Sequence, residues 1–123
     1  MALGQGAAAQ LWQEVNAGTF TLTVEAAHEV AGHYQWIADE MRQRGTEVAY
    51  LQRLDGFGGF DSAKHLQSGF ETKAVQAFDA FKSAQESALR MKAAVLQAAK
   101  LTQEVDAANA AATRAASRKI SDA

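Results

Sequence analysis

Hydrophobic residues recur at intervals of three and four along two long stretches of the chain. In residues 23–54 the row consists of Ala27, Val30, Tyr34, Ile37, Met41, Val48 and Leu51. In residues 62–118 it consists of Leu66, Phe70, Ala74, Ala77, Phe81, Ala84, Ala88, Met91, Val95, Ala98, Val105 and Ala112. This spacing places each row on one face of an α-helix. The pattern predicts an all-α fold with two long amphipathic helices.

A glycine-rich segment, Asp-Gly-Phe-Gly-Gly-Phe-Asp at residues 55–61, separates the two helical stretches. Each glycine inside a helix costs about 1 kcal/mol relative to alanine, so three of them in five residues mark a break. Two helices joined by a short connection read as an antiparallel hairpin. We therefore predict a helix over 23–54, a turn over 55–61, a helix over 62–118 and a flexible tail at 119–123.

The first 22 residues differ from the rest, because they carry one charge and three glycines. We predict that this N-terminal extension is partly helical or flexible. A two-helix hairpin buries only one stripe of each helix, so the remaining apolar residues predict pairing with a second hairpin in a four-helix bundle dimer. The alternative is that Trp12 and Phe20 of the extension cover the same surface within one chain.

The composition supports long helices and excludes several classes of function. Alanine, the best helix former, accounts for 28 of 123 residues, and proline is absent. The net charge of −2 argues against nucleic-acid binding, which needs a concentrated basic surface. The absence of cysteine excludes disulfides and a thiol nucleophile. No apolar run approaches the roughly 20 residues that span a bilayer, and the first residues lack the features of a Sec signal peptide.

Histidine and acidic residues in the first helix do not have the spacing of a metal site. His28 and His33 are five residues apart, about 140° around a helix, whereas a zinc-protease helix needs a spacing of four. Glu25 and His28 have the spacing of one di-iron ligand pair, but His65 in the second helix has no glutamate three residues before it. We predict no catalytic residue, no metal and no other cofactor.

Ten larger residues of the two rows are predicted to fill the seam between the helices or between two subunits. They are Tyr34, Ile37, Met41, Val48, Leu51, Leu66, Phe70, Phe81, Met91 and Val95.

The turn Phe57-Gly58-Gly59, between two long helices in a small chain, resembles the WXG superfamily exported by type VII (ESX) secretion systems of actinobacteria and related Gram-positive bacteria. Phe57 stands at the tryptophan position and Gly59 at the glycine position. The resemblance covers roughly residues 23–112. It implies a homodimeric or heterodimeric four-helix bundle that is not an enzyme. It also implies that an ESX ATPase recognises the folded protein and that export follows a Sec-independent route.

In that family the turn aromatic forms an export signal with a Tyr-x-x-x-Asp/Glu element near the partner's C-terminus. Thr102 and Asp106 have this spacing and the acid, but threonine replaces the aromatic, and no Phe, Trp or Tyr follows Phe81. Either a heterodimeric relative carries the signal, or the chain is a family-like member that is cytoplasmic or is not a secretion substrate. The alternatives outside the family are an intracellular helical adaptor dimer and a metal- or ligand-binding helical bundle.

Overall fold

The protein is all-α, as the hydrophobic pattern predicts. The computed structural model describes residues 4–119, and this range contains no β-strand. The helices are α1 (Gln5–Asn16), α2 (Val24–Ala49), α3 (Asp61–Ala98) and α4 (Thr102–Ala116), with a 3₁₀ turn at Tyr50–Gln52. α1 lies within the predicted extension, and α2 within the predicted helix at 23–54.

A local capping signal marks the start of α2, and acidic residues favour the first turns of both α2 and α3. The Ala26 N–H donates a hydrogen bond to Thr23 Oγ1 at 3.1 Å, which caps the first turn of α2. Glu25 lies in that turn and Asp61 in the first turn of α3. Their negative charges interact favourably with the positive ends of the helix dipoles.

The prediction of one helix over 62–118 is wrong, because the chain reverses at residues 99–101 and α4 is a separate helix. Lys100 has φ +58°, its N–H donates to the Gln97 carbonyl at 2.9 Å, and the Leu101 N–H donates to the Leu96 carbonyl at 3.1 Å. These two bonds form a Schellman motif, in which glycine usually occupies the position of Lys100. A residue with a side chain costs about 1–2 kcal/mol there, so tertiary packing must stabilise this turn.

α3 is the central element, and each of the other helices packs against it. α2 runs antiparallel to α3 along most of its length: the Leu22 N–H donates to the Ala98 carbonyl at 3.1 Å, and an alanine side chain at Gly45 would lie 3.5 Å from Phe81 Cβ. α4 returns along the C-terminal half of α3, where Arg90 Nη1 donates to Asn109 Oδ1 at 3.2 Å.

α1 lies against the same C-terminal half of α3. It begins beside Glu86, whose Oε1 accepts from Gln5 Nε2 at 2.7 Å, and it runs in the direction of α3. Leu11 and Trp12 pack against the central hydrophobic cluster, and Val15 is buried. Phe20 is 36% exposed. The extension therefore covers part of the apolar surface within one chain.

Enclosure by three helices explains why the core is rich in alanine. Ala93, Ala94, Val95 and Leu96 are four consecutive buried residues. Successive residues point about 100° apart around a helix, so this part of α3 is surrounded on all sides. Alanine side chains let the surrounding helices approach closely. Among the described residues, Leu96 is the one large side chain with less than 2% exposure.

The predicted flexible tail falls mostly outside the described residues. Only Lys119 of the segment 119–123 is described, and its Nζ lies 3.4 Å from Glu86 Oε1. This contact places the end of α4 beside the start of α1. In residues 4–119, α1 and α4 therefore accompany α3 only from about Glu86 onward, and the glycine-rich end is a pair of helices.

Candidate functional site

An apolar groove lies beside the glycine-rich segment, at the end of the α2–α3 pair that α1 and α4 do not accompany. Its volume is about 410 Å³. The lining, which we call the glycine-end groove, consists of Val48, Leu51, Leu54, Phe57, Phe70, Lys73, Ala74 and Ala77. Lys73 is the only polar side chain in this set. A concentrated apolar surface on a folded protein often marks a binding site.

A second hollow continues the groove along the outer face of α3. It is lined by His65, Leu66, Gly69, Phe70 and Lys73, and we call it the Gly69 hollow. Phe70 and Lys73 line both the groove and the hollow. Leu66 and Phe70 are 54% and 53% exposed. The two depressions therefore form one continuous apolar surface.

Hydrogen bonds from α3 hold the segment that precedes the glycines. The Leu54 N–H donates to Glu71 Oε2 at 2.8 Å, and the Gln67 side-chain amide donates to the Leu54 carbonyl. Phe57 then folds over α3, with its ring centroid 6.2 Å from that of Phe70 and the ring planes tilted by 30°. The groove therefore depends on the path of the loop as well as on the two helices.

Two glycines give this loop its path. Gly56 has φ +83° and Gly58 has φ +94°, a region that residues with a side chain rarely adopt, whereas Gly59 has no such torsion. Nothing lies within 4 Å of the position that a Cβ would take at any of the three. Gly58 and Gly59 therefore differ in backbone torsion and not in the space available for a side chain.

We expect Gly58→Ala to lower the free energy of unfolding by about 1 kcal/mol, because alanine is strained at this torsion. Gly59→Ala is the matched control and should stay within about 0.5 kcal/mol of the unsubstituted chain. Urea titration followed by circular dichroism measures both. Equal losses for the two variants would contradict this account of the loop.

The ten predicted seam residues fall into three groups within one chain. Val95 is buried, and Tyr34, Met41, Val48, Phe81 and Met91 are half-buried. Ile37, Leu51, Leu66 and Phe70 are exposed. Leu51, Leu66 and Phe70 border the groove or the hollow, so the row of apolar residues passes from the core of the helices onto an open surface.

The predicted Thr102–Asp106 element occupies the start of α4. Both named residues are exposed, while Val105 between them is buried in the central cluster. The element is therefore part of a helix packed against α3. Its exposed residues face away from that contact.

The histidine–glutamate pairing in the structure differs from the spacing considered in the sequence. His28 Nε2 lies 3.0 Å from each carboxylate oxygen of Glu104, which joins α2 to α4. Both side chains are about half exposed, so solvent limits the contribution of this pair to about 1 kcal/mol or less. Across residues 4–119, no group of three or more histidine, aspartate or glutamate side chains is placed to hold a metal ion.

A buried lysine lies at the boundary between the two ends of the molecule. Lys82 is 5% exposed, its Nζ lies 5.4 Å from the Phe78 ring centroid, and it donates to Gln85 Oε1 at 3.2 Å. Burial lowers the pKa of Lys82, and repulsion from Arg118 and Arg42 lowers that pKa further.

Another cavity, of about 460 Å³, lies between α1 and α4 above α3. Its lining is Gln5, Ala8, Ala9, Trp12, Gln13, Glu86, Arg90 and Asn109. Arg90 Nη2 lies 3.7 Å from Glu86 Oε2, and Arg90 Nη1 donates to Asn109 Oδ1. The charged groups that line this cavity therefore already have partners. The hydrophobic pattern does not predict this cavity, because the cavity forms only where α4 folds back along α3. The four consecutive apolar residues Ala93–Leu96 place apolar side chains all around α3, and they were the available signal that further helices enclose this part of it.

No described helix has the length and apolar character needed to cross a bilayer. Comparison with protein-family models, curated proteins and solved structures finds no match for this chain.

Proposed function

We propose that this chain is a non-enzymatic helical protein that binds a helix of another protein in the glycine-end groove. One observation carries the proposal: α1 and α4 cover α3 at one end, while at the other end the apolar side chains of α2 and α3 line an open groove. Two helices alone bury little surface, and a third or fourth helix is the usual complement.

The shape of the groove favours a helical occupant. It runs between antiparallel helices and is lined by aliphatic and aromatic side chains, which is how an amphipathic helix is received in a groove. At the opposite end of the molecule, the helices α1 and α4 cover α3 in the same way. Phe57 and Phe70 supply the aromatic surface on which such contacts depend most strongly.

We propose further that the protein acts as a WXG-like component of a type VII (ESX) secretion system. The turn Phe57-Gly58-Gly59 supports this role, and Phe57 belongs to the groove. The partner would be a related helical hairpin. A heterodimer is favoured over a homodimer, because this chain has threonine at position 102, where the family's export element has tyrosine.

Export from a host that carries the system tests this proposal. The chain and two variants are compared in culture filtrate and lysate, with and without the ESX ATPase. Phe70→Glu places a charge in the groove. Trp36→Glu is the matched control, since Trp36 is 65% exposed on α2 and lines neither groove nor hollow. We expect ATPase-dependent export of the chain and of Trp36→Glu, and retention of Phe70→Glu.

Equal retention with and without the ATPase would overturn the secretion role. Light scattering then distinguishes the remaining possibility, an intracellular adaptor dimer. A mass near twice 13.1 kDa that Phe70→Glu reduces to the monomer mass supports self-pairing through the groove. Circular dichroism of both variants verifies that the helices are intact.

A further inference from the structure

Resting on the proposed function, we infer which kind of helix the groove accepts: one that crosses α3 at Gly69 and carries acidic side chains beside its apolar stripe. Two independent features of the described residues lead to this inference. One is the absence of a side chain at Gly69 on an exposed helix face, and the other is the charge of the residues that border the apolar surface.

Gly69 has no packing role within the described residues. It lies inside α3 at a helical torsion, and nothing lies within 4 Å of the position that a Cβ would take. Glycine there costs about 1 kcal/mol relative to alanine. The gap it leaves is bordered by Leu66 and Phe70, so a second backbone can approach α3 closely between two apolar side chains.

The ionisable residues that line the groove and the hollow are Lys73 and His65, and neither lining contains an acidic residue. The Lys73 ammonium donates a hydrogen bond to Gln76 Oε1 at 3.4 Å, and this amide oxygen is uncharged. Lys73 therefore carries a positive charge at the edge of the apolar surface, and no carboxylate in residues 4–119 lies within salt-bridge distance of it. An acidic flank on the bound helix complements this edge.

The same charges disfavour a second copy of this chain as the occupant. If α3 of two copies crossed antiparallel at Gly69, the residues four positions to either side would face each other. Lys73 would then lie opposite His65 of the other copy, which offers no carboxylate, and a parallel crossing would bring the two Lys73 ammonium groups together. A different chain with glutamate or aspartate at these positions supplies the opposite charge that a second copy lacks.

Two synthetic helical peptides test the inference. Each has 21 residues, with leucine and alanine in one stripe; one has glutamate on both flanks of the stripe and the other has lysine. Binding to the full chain is measured by fluorescence anisotropy at low and high salt. We expect the glutamate peptide to bind at least about tenfold more tightly, with the difference shrinking as salt rises.

Variants with matched controls separate charge from shape. Lys73→Glu should reverse the preference between the two peptides, while Lys64→Glu, which alters a lysine outside both linings, should leave it unchanged. Gly69→Leu should weaken binding of the glutamate peptide about tenfold without lowering the stability of the protein. Gly32→Leu is its control, because Gly32 is equally open and lies on α2 away from the groove.

Equal binding of the two peptides, or no binding of either, would overturn the inference, as would a Gly69→Leu variant that binds normally. These binding results can be told apart from failure of the proposed function, which the export experiment tests. If Phe70→Glu still prevents export while the two peptides bind equally, the groove acts in export but its partner does not need an acidic helix. If Phe70→Glu is exported normally, the groove has no role in export and the proposed function is wrong.

Discussion

Leu96→Ala should lower the free energy of unfolding by about 3 kcal/mol, because it removes three carbon atoms from the centre of the enclosed part of α3. Leu96 is 1% exposed and belongs to the cluster in which α1, α2, α3 and α4 meet. Three surrounding helices restrict collapse of the cavity that the variant leaves. Urea titration followed by circular dichroism at 222 nm measures the loss.

Leu66→Ala makes the same chemical change at a position that is 54% exposed, so its expected loss is below about 1 kcal/mol. If Leu96→Ala does not fold, Leu96→Met keeps most of the volume and should cost less than about 1.5 kcal/mol. Similar losses for Leu66→Ala and Leu96→Ala would show that the core does not lie where α3 is enclosed.

Ala112→Leu should destabilise the protein by about 2 kcal/mol, through overpacking rather than a cavity. Ala112 is fully buried where α4 packs on α3, in the cluster that also contains Ala38, Ala88 and Leu89. A leucine at this position needs space that close alanine packing does not provide. The added volume therefore pushes α4 away from α3, and the Schellman turn at Lys100 loses the packing that stabilises it.

Ala110→Leu is the control for this substitution, since Ala110 lies on the exposed side of the same helix. It should change the free energy of unfolding by less than about 0.5 kcal/mol. Thermal unfolding of the two variants side by side measures the difference. If both variants were equally stable, α4 would not be packed against α3 through Ala112.

The candidate groove was only partly predictable from the sequence. The glycines between two apolar rows predicted a turn, and Leu66 and Phe70 were identified as large apolar residues of a seam. That these residues stay exposed follows from where α1 and α4 stop along α3, which depends on contacts between residues more than 75 positions apart, such as Gln5 with Glu86. The position of Phe57 over Phe70 likewise depends on the torsions of Gly56 and Gly58.

The sequence by itself determined that this protein is helical, where α2 starts and where the chain breaks before α3. Capping and glycine act within a few residues, so their effects can be read locally. Only the tertiary structure decided the reversal at Lys100. Residues 96–101 contain neither glycine nor proline, and the turn forms because Val105 and Ala112 gain burial against α3 that a continuous helix would not give them within one chain.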